Sequence, residues 1–174
     1  MKRFLVAVDL QKDFVDGALG TNEAQAIVPN TVKKIKNFDG KIFVTFDTHS
    51  ENYLSTAEGK KLPVTHCVKG TDGWQLNADI LKALDGRDYI AVEKPTFGSV
   101  DLPKLIEKEA SGEEFEIELI GLCTDICVVS NALLLKANFP EAPIAVDSSC
   151  CAGVTPQAHK SALDTMKSCQ IDIL

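Results

Sequence analysis

Short apolar runs that end in polar or charged residues recur along the chain, and they limit its fold more than any other feature. Residues 4–10 (FLVAVDL) are almost continuously apolar, as is typical of a strand covered on both faces of a parallel sheet. Similar runs predict strands at 41–46, 88–93, 115–120, 143–146 and 171–174. Helical patterns fall between them at 23–38, 78–84, 102–110, 127–138 and 156–169. This alternation predicts an α/β fold in which a parallel sheet of five to six strands carries helices on both faces.

The length and composition of the chain fit one domain spanning residues 1–174. Hydrophobic residues make up 45% and charged residues 25%, as in soluble globular proteins. A net charge of −7 argues against nucleic acid and anionic membrane surfaces as partners. The basic start is followed at once by Asp9 and Asp13, which indicates a strand and not a signal peptide. Six cysteines without a CxxC pair favour reduced thiols and a cytoplasmic location.

A cysteine follows the predicted strand 115–120 at a position where chemistry is common. We call residues 121–127 (GLCTDIC) the cysteine turn, and the helical pattern 127–138 comes directly after it. Thr124 or Asp125 can cap that helix, which leaves Cys127 in the first turn. Free N–H groups and the helix dipole there favour a thiolate. This is the thiol counterpart of the serine elbow of hydrolases, and the alternative is a buried cysteine that only packs beneath the sheet.

Polar residues stand at the ends of several predicted strands, and the carboxyl ends of parallel strands meet at one edge of the sheet. Asp9, Asp47 and Lys94 are such residues, and Cys127 follows a fourth strand. A nucleophilic thiol needs a base for its proton and benefits from a nearby cation. Asp9 can be that base, and Lys94 can hold both Asp9 and the thiolate. Each residue taken alone could equally be a helix cap or a surface charge.

Two of the three histidines fall in one long irregular segment, residues 50–73, or just before it. Asp47, His49 and His66 are nitrogen and oxygen donors of the kind that bind divalent transition metals. We expect one divalent ion, zinc, with manganese or iron as alternatives. A polar loop with two unrelated histidines is the other interpretation.

Five motifs in order make the chain similar to the isochorismatase-like cysteine hydrolases, and within them to the nicotinamidases, over nearly its full length. The motifs are VDLQKDF (8–14), DTH (47–49), PVTHCVKGTDG (63–73), EKPTF (93–97) and GLCTDICV (121–128). The resemblance implies a catalytic triad of Asp9, Lys94 and Cys127. It also implies an oxyanion hole from the backbone N–H groups of Cys123 and Cys127, and a cis peptide between Leu122 and Cys123.

The same resemblance implies a substrate site beside the metal, which would bind the pyridine nitrogen of the substrate. Asp47, His49 and His66 match ligand positions, and Glu58 stands at the fourth, with Glu51 as a less favoured substitute. Further residues implied to flank the substrate are Phe14, Leu19 and Phe97. Pro63 replaces an aromatic residue that is common in the family, which leaves the identity of the amide open.

The sequence therefore predicts a nicotinamidase-like amidohydrolase that converts nicotinamide and water into nicotinate and ammonia. One alternative is another amidase of the same family, acting on a carbamoyl compound or ureide. A second is a catalytically silent binding domain on the same fold. Isochorismate hydrolysis is disfavoured, because enzymes of that type are expected to lack the cysteine. We expect a small-molecule amide substrate, no nucleic-acid or membrane partner, and a homo-oligomer.

Overall fold

A parallel six-stranded sheet forms the centre of the computed structural model, which describes residues 1–174. The strands are β1 (Lys2–Val8), β2 (Lys41–Asp47), β3 (Tyr89–Lys94), β4 (Phe115–Leu122), β5 (Ile144–Ala152) and β6 (Asp172–Ile173). They lie in the order β3-β2-β1-β4-β5-β6, and every neighbouring pair is parallel. The predicted α/β sheet is confirmed.

Helices cover both faces of this sheet, because successive side chains of the central strand point to opposite sides. Leu5 and Ala7 belong to one hydrophobic core of 22 buried residues, whereas Phe4, Val6 and Val8 belong to another of 19. The helices are α1 (Lys12–Val15), α2 (Asn22–Ala26), α3 (Val28–Asn37), α4 (Ala57–Lys61), α5 (Ala78–Ala83), α6 (Leu102–Ala110), α7 (Val129–Asn138) and α8 (Pro156–Ser168). No helix combines the length and the apolar composition needed to cross a lipid bilayer.

Several element boundaries differ from those predicted. The single helix expected at 23–38 is two helices, because α3 starts anew at Val28 with Pro29 in its first turn, a position that proline favours. The irregular segment expected at 50–73 contains the short helix α4. Strand β5 extends to Ala152, well beyond the expected end at 146, through a register irregularity against β4.

The order of the strands reverses between β1 and β4, the place where open α/β sheets form a crevice for ligands. Gly121 of β4 has a φ of 119° and lies so close to β1 that a Cβ would stand 2.1 Å from the carbonyl oxygen of Val8. Only glycine fits this close approach. As a result, the residues that follow β1 and β4 lie side by side at the carboxyl edge of the sheet.

Candidate active site

The three residues expected to form a catalytic triad lie together at this edge. Asp9 follows β1, Lys94 ends β3, and Cys127 follows β4. The Nζ atom of Lys94 lies 2.6 Å from Oδ2 of Asp9 and 3.5 Å from Sγ of Cys127. All three are buried, with exposed fractions of 0% for Asp9, 1% for Lys94 and 4% for Cys127. We call these three residues the acid–thiol cluster.

The carboxylate of Asp9 is oriented by a threonine that the sequence analysis did not identify. The Thr45 hydroxyl donates a 2.6 Å hydrogen bond to Oδ1 of Asp9, and the Asp9 N–H donates to the Thr45 carbonyl oxygen at 3.2 Å. Oδ2 pairs with the Lys94 ammonium at 2.6 Å. A carboxylate oxygen has two lone pairs, so Oδ2 can still accept the thiol proton. In the sheet, Val8, which precedes Asp9, pairs with Thr45. Aligning β1 with β2 in this register could have revealed the contact.

Burial is the largest single influence on the pKa of each residue in the acid–thiol cluster. It raises the pKa of the Cys127 thiol well above its ordinary value, and the charge of Asp9 adds to this effect against the opposing charge of Lys94. Burial also raises the pKa of Asp9, although Lys94 acts in the other direction. For Lys94 itself, burial lowers the pKa, but the neighbouring anionic groups outweigh it and keep the ammonium charged. Burial thus opposes the thiolate that a helix start would favour, so the thiol needs Asp9 to accept its proton.

The cysteine turn has a different geometry from the one expected. Residues Thr124–Val128 form a π-helical turn, and the α-helical part of the segment, α7, begins only at Val129. Neither Thr124 nor Asp125 caps a helix, because the cap positions are Cys123 and Val128, whose side chains make no capping hydrogen bond. The Leu122–Cys123 peptide is cis, as the resemblance implied. The N–H of Cys123 donates no hydrogen bond within the protein, so it is free to bind a negatively charged oxygen.

A second group of polar side chains adjoins the first: Asp47, His49, Glu58 and His66, which we call the ligand cluster. Their ligand atoms all lie within 4.8 Å of one another. Nε2 of His49 lies 2.9 Å and Nε2 of His66 lies 3.4 Å from Oδ2 of Asp47. Glu58, on α4, lies 3.7 Å and 3.8 Å from the same nitrogens. Glu51, the substitute considered from the sequence, is exposed and outside the cluster.

Neighbouring residues orient the ligand cluster as they do in metal sites. Nδ1 of His66 lies 2.8 Å from the carbonyl oxygen of Val64, which leaves Nε2 to face the other donors. The Gln11 amide donates to the Asp47 carbonyl oxygen and accepts from the Asp47 N–H. Tyr53 is wholly buried, with its ring 4.7 Å from that of His49 and 4.9 Å from that of His66. It supplies an aromatic ring beside both histidines, in the same segment as Pro63, the position where the resemblance led us to expect an aromatic residue.

The two carboxyl groups of the ligand cluster differ in their pKa values. Burial by itself raises the pKa of Asp47, but hydrogen bonds with His49 and His66 outweigh it and hold that pKa below its usual range. Burial raises the pKa of Glu58. A carboxylate and two imidazoles in contact, with a second carboxylate beside them, are a donor set that zinc-like ions prefer. The residues present therefore fit a divalent metal ion.

A cavity of about 330 Å³ is lined by ligand-cluster residues and by residues of the cysteine turn, namely Asp47, Glu58, His66, Leu122, Cys123 and Ile126. It is lined by all three residues expected to flank the substrate, Phe14, Leu19 and Phe97. The other lining residues are Thr21, Ala24, Leu62, Gly153 and Val154. No lysine or arginine lines it. Its size suits a small ligand with a flat apolar ring.

A buried thiol beside a carboxylate and an ammonium, at the carboxyl edge of a parallel sheet, defines a class: cysteine-dependent hydrolases built on a three-layer α/β fold. The isochorismatase domain model matches residues 3–174, so the chain belongs to the isochorismatase family.

Individual relatives agree with this membership. An uncharacterized isochorismatase family protein, PncA of Bacillus subtilis (strain 168), is 31% identical over 147 residues, which cover 76% of this chain and 78% of that protein. The pyrazinamidase of Pyrococcus horikoshii in complex with zinc has a TM-score of 0.84 at 26% identity, covering 100% of this chain and 99% of that one. Nicotinamidase PncA from Bacillus subtilis also has a TM-score of 0.84, at 25% identity and 99% coverage of both chains.

Proposed function

We propose that the protein is a nicotinamidase-like amidohydrolase, which converts nicotinamide and water into nicotinate and ammonia through a cysteine thioester. The observation that carries the proposal is the contact between the two clusters, beside an apolar cavity that the ligand cluster and the cysteine turn line. Lys94 provides this contact, because its Nζ lies 2.6 Å from Asp9 and 3.4 Å from Asp47. The solved relatives are named a nicotinamidase and a pyrazinamidase, which supports an amide of a nitrogen-containing ring as substrate.

The first half of the reaction forms the thioester. Asp9 takes the proton from the Cys127 thiol, and the sulfur attacks the amide carbon. Lys94 faces both the carboxylate and the sulfur, so its positive charge stabilises the thiolate as it forms. The amide oxygen becomes negatively charged, and the N–H groups of Cys123 and Cys127 are proposed to bind it.

The second half of the reaction releases the products. Protonated Asp9 donates its proton to the amide nitrogen as the carbon–nitrogen bond breaks, and ammonia leaves. Asp9 then accepts a proton from water, whose oxygen attacks the thioester carbon. The sulfur departs from that carbon and takes the proton back from Asp9. The acid that is released loses its own proton to solvent, which leaves nicotinate and the resting enzyme. One carboxylate thus serves as base and acid in turn.

The ligand cluster is proposed to hold one divalent metal ion, zinc in the first place. When bound, such an ion offers a Lewis-acid position to the ring nitrogen of the substrate. The protein's own contribution is geometric: Gln11 fixes the backbone of Asp47, and Val64 fixes the ring of His66. Zinc in the pyrazinamidase of P. horikoshii supports this choice of metal.

The lining of the cavity favours nicotinamide over the carbamoyl alternative. A flat pyridine ring matches the apolar side chains of Phe14, Leu19 and Phe97. A carbamoyl amino acid carries a carboxylate, which needs a cation or several donors when it is buried, and no lysine or arginine lines the cavity.

The cytoplasmic location and the homo-oligomer that we expect from the sequence remain predictions. All six cysteines are free thiols.

Ammonia release from a small set of amides tests the proposal. The set holds nicotinamide, pyrazinamide, benzamide, a carbamoyl amino acid and a ureide, with enzyme reconstituted with zinc. We expect nicotinamide to be hydrolysed with the highest kcat/KM and Cys127→Ala to release no ammonia. Preference for the carbamoyl compound or ureide would support the alternative amidase. Absence of turnover on every compound would support a silent binding domain.

A further inference from the structure

The third histidine of the chain, His159, contacts the cysteine turn although it belongs to neither cluster. It lies in the first turn of α8, more than 30 residues after Cys127. Its Nδ1 is 2.7 Å from the hydroxyl of Thr124, the first residue of the π-helical turn. Thr124 is completely buried, and this is the only hydrogen bond that its side chain makes. Burial lowers the pKa of His159, so the neutral imidazole predominates at pH 7.

A second contact ties the same two segments together. Oδ1 of Asp125 accepts a 3.0 Å hydrogen bond from the N–H of Val154, a residue that lines the substrate cavity. Gly153 lies between them so tightly that a Cβ there would stand 2.7 Å from the backbone nitrogen of His159 and 2.8 Å from Asp125. The side chains expected to cap the helix are therefore used instead to hold the cysteine turn against the start of α8.

These contacts matter for chemistry because the cysteine turn carries both the nucleophile and the free N–H of Cys123. A displacement of about 1 Å in such a turn can reduce a rate about a hundredfold without touching the substrate. We propose that His159 is a positioning residue, which acts through the hydroxyl of Thr124 to hold the cysteine turn in its reactive geometry. This inference rests on the proposed amidohydrolase function.

Two substitutions of His159 separate positioning from bulk. His159→Leu keeps much of the volume but removes the hydrogen bond, whereas His159→Asn retains a polar atom close to the position of Nδ1. In nicotinamide hydrolysis we expect His159→Leu to lower kcat about ten- to a hundredfold with KM changed less than about twofold. His159→Asn should recover most of the loss. Lys160→Ala, an exposed neighbour on the same helix, is the control and should match the wild type.

A double substitution tests whether His159 acts through Thr124. Thr124→Val removes the hydroxyl and keeps the shape, so Thr124→Val with His159→Leu should be no slower than either single variant. Additive losses would overturn the proposal. So would a His159→Leu loss that appears in KM alone, that equals the fraction of unfolded protein, or that His159→Asn fails to recover.

Hydrogen exchange of the peptide 121–130 provides a readout that needs no activity. We expect faster exchange in His159→Leu and wild-type exchange in His159→Asn, because the hydrogen bond orders the turn. If the wild type hydrolyses none of the amides, the proposed function fails, and exchange still decides the proposal. Exchange that is identical in the wild type and His159→Leu overturns it.

Discussion

The hydrogen bond from Thr45 to Asp9 offers a sharp test of the role of Asp9, because valine has nearly the shape of threonine. In Thr45→Val the buried Oδ1 loses its 2.6 Å donor, while Lys94 stays beside Oδ2. A hydrogen bond to an ionised group contributes about 1.5–3 kcal/mol. Asp9 must be ionised to accept the thiol proton, so its ionised form loses about this much stabilisation.

The loss has a direction on the pH scale. Without the Thr45 donor the pKa of Asp9 rises further, and the acid limb of kcat/KM moves towards higher pH. On that limb kcat/KM should fall about ten- to a hundredfold, since about 1.36 kcal/mol equals a factor of ten. Well above the shifted limb, activity should return towards that of the wild type. The assay is initial ammonia release across pH 5 to 9, with KM and kcat separated at each pH.

A matched control comes from Thr31, another completely buried threonine whose hydroxyl has no hydrogen-bond partner. Thr31→Val makes the same chemical change without removing a hydrogen bond. The acid limb of its pH profile should therefore stay in place, and its free energy of unfolding should not fall. An unchanged acid limb in Thr45→Val would refute the role of Asp9 as the ionised base. A loss that is equal at every pH and matches a loss of folded protein would refute it as well.

Three further predictions concern the two clusters. Cys127→Ala and Cys127→Ser should abolish turnover with an unchanged thermal unfolding midpoint, because the thiol is the proposed nucleophile; surviving ammonia release would exclude that role. Asp9→Asn should be as damaging as Cys127→Ala, and the double variant little worse than either, since residues that act as a unit show non-additive losses; additive kinetic losses would mean that the pair does not act together. Glu58→Ala should lower the zinc content in elemental analysis and raise KM for nicotinamide more than for benzamide. Glu58→His should restore the metal, whereas full zinc in Glu58→Ala would exclude Glu58 as a ligand.

The sheet and the meeting of its strand ends were predictable because both depend on local patterns. Continuous apolar runs identify buried parallel strands, and their carboxyl ends share one edge. Asp9, Asp47 and Lys94 could therefore be assigned to one place before any contact was known. The resemblance implied Glu58 as the fourth metal ligand, but residue types alone could not separate Glu58 from Glu51. That choice depends on how α4 folds back onto His49 and His66.

What the sequence could not predict depends on contacts between distant segments. The turn residues Thr124 and Asp125 have the chemistry of helix caps, but partners on the segment 153–159 attract both side chains. The pKa of Cys127 depends on packing in the same way. The position at a helix start is visible in the sequence, whereas the burial that raises its pKa arises only from the packed fold.

The place of Lys94 has a consequence for how variants of this chain should be interpreted. Its ammonium is completely buried and compensates two buried carboxylates, those of Asp9 and Asp47. Removing one partner from a buried ion pair costs about 3–5 kcal/mol, a large part of the total stability of a typical domain. Inactive Lys94 variants would then be found among poorly expressed or degraded proteins. Their rarity in a mutational survey would report the survival of the folded chain in the cell, and only secondarily the rate of the reaction.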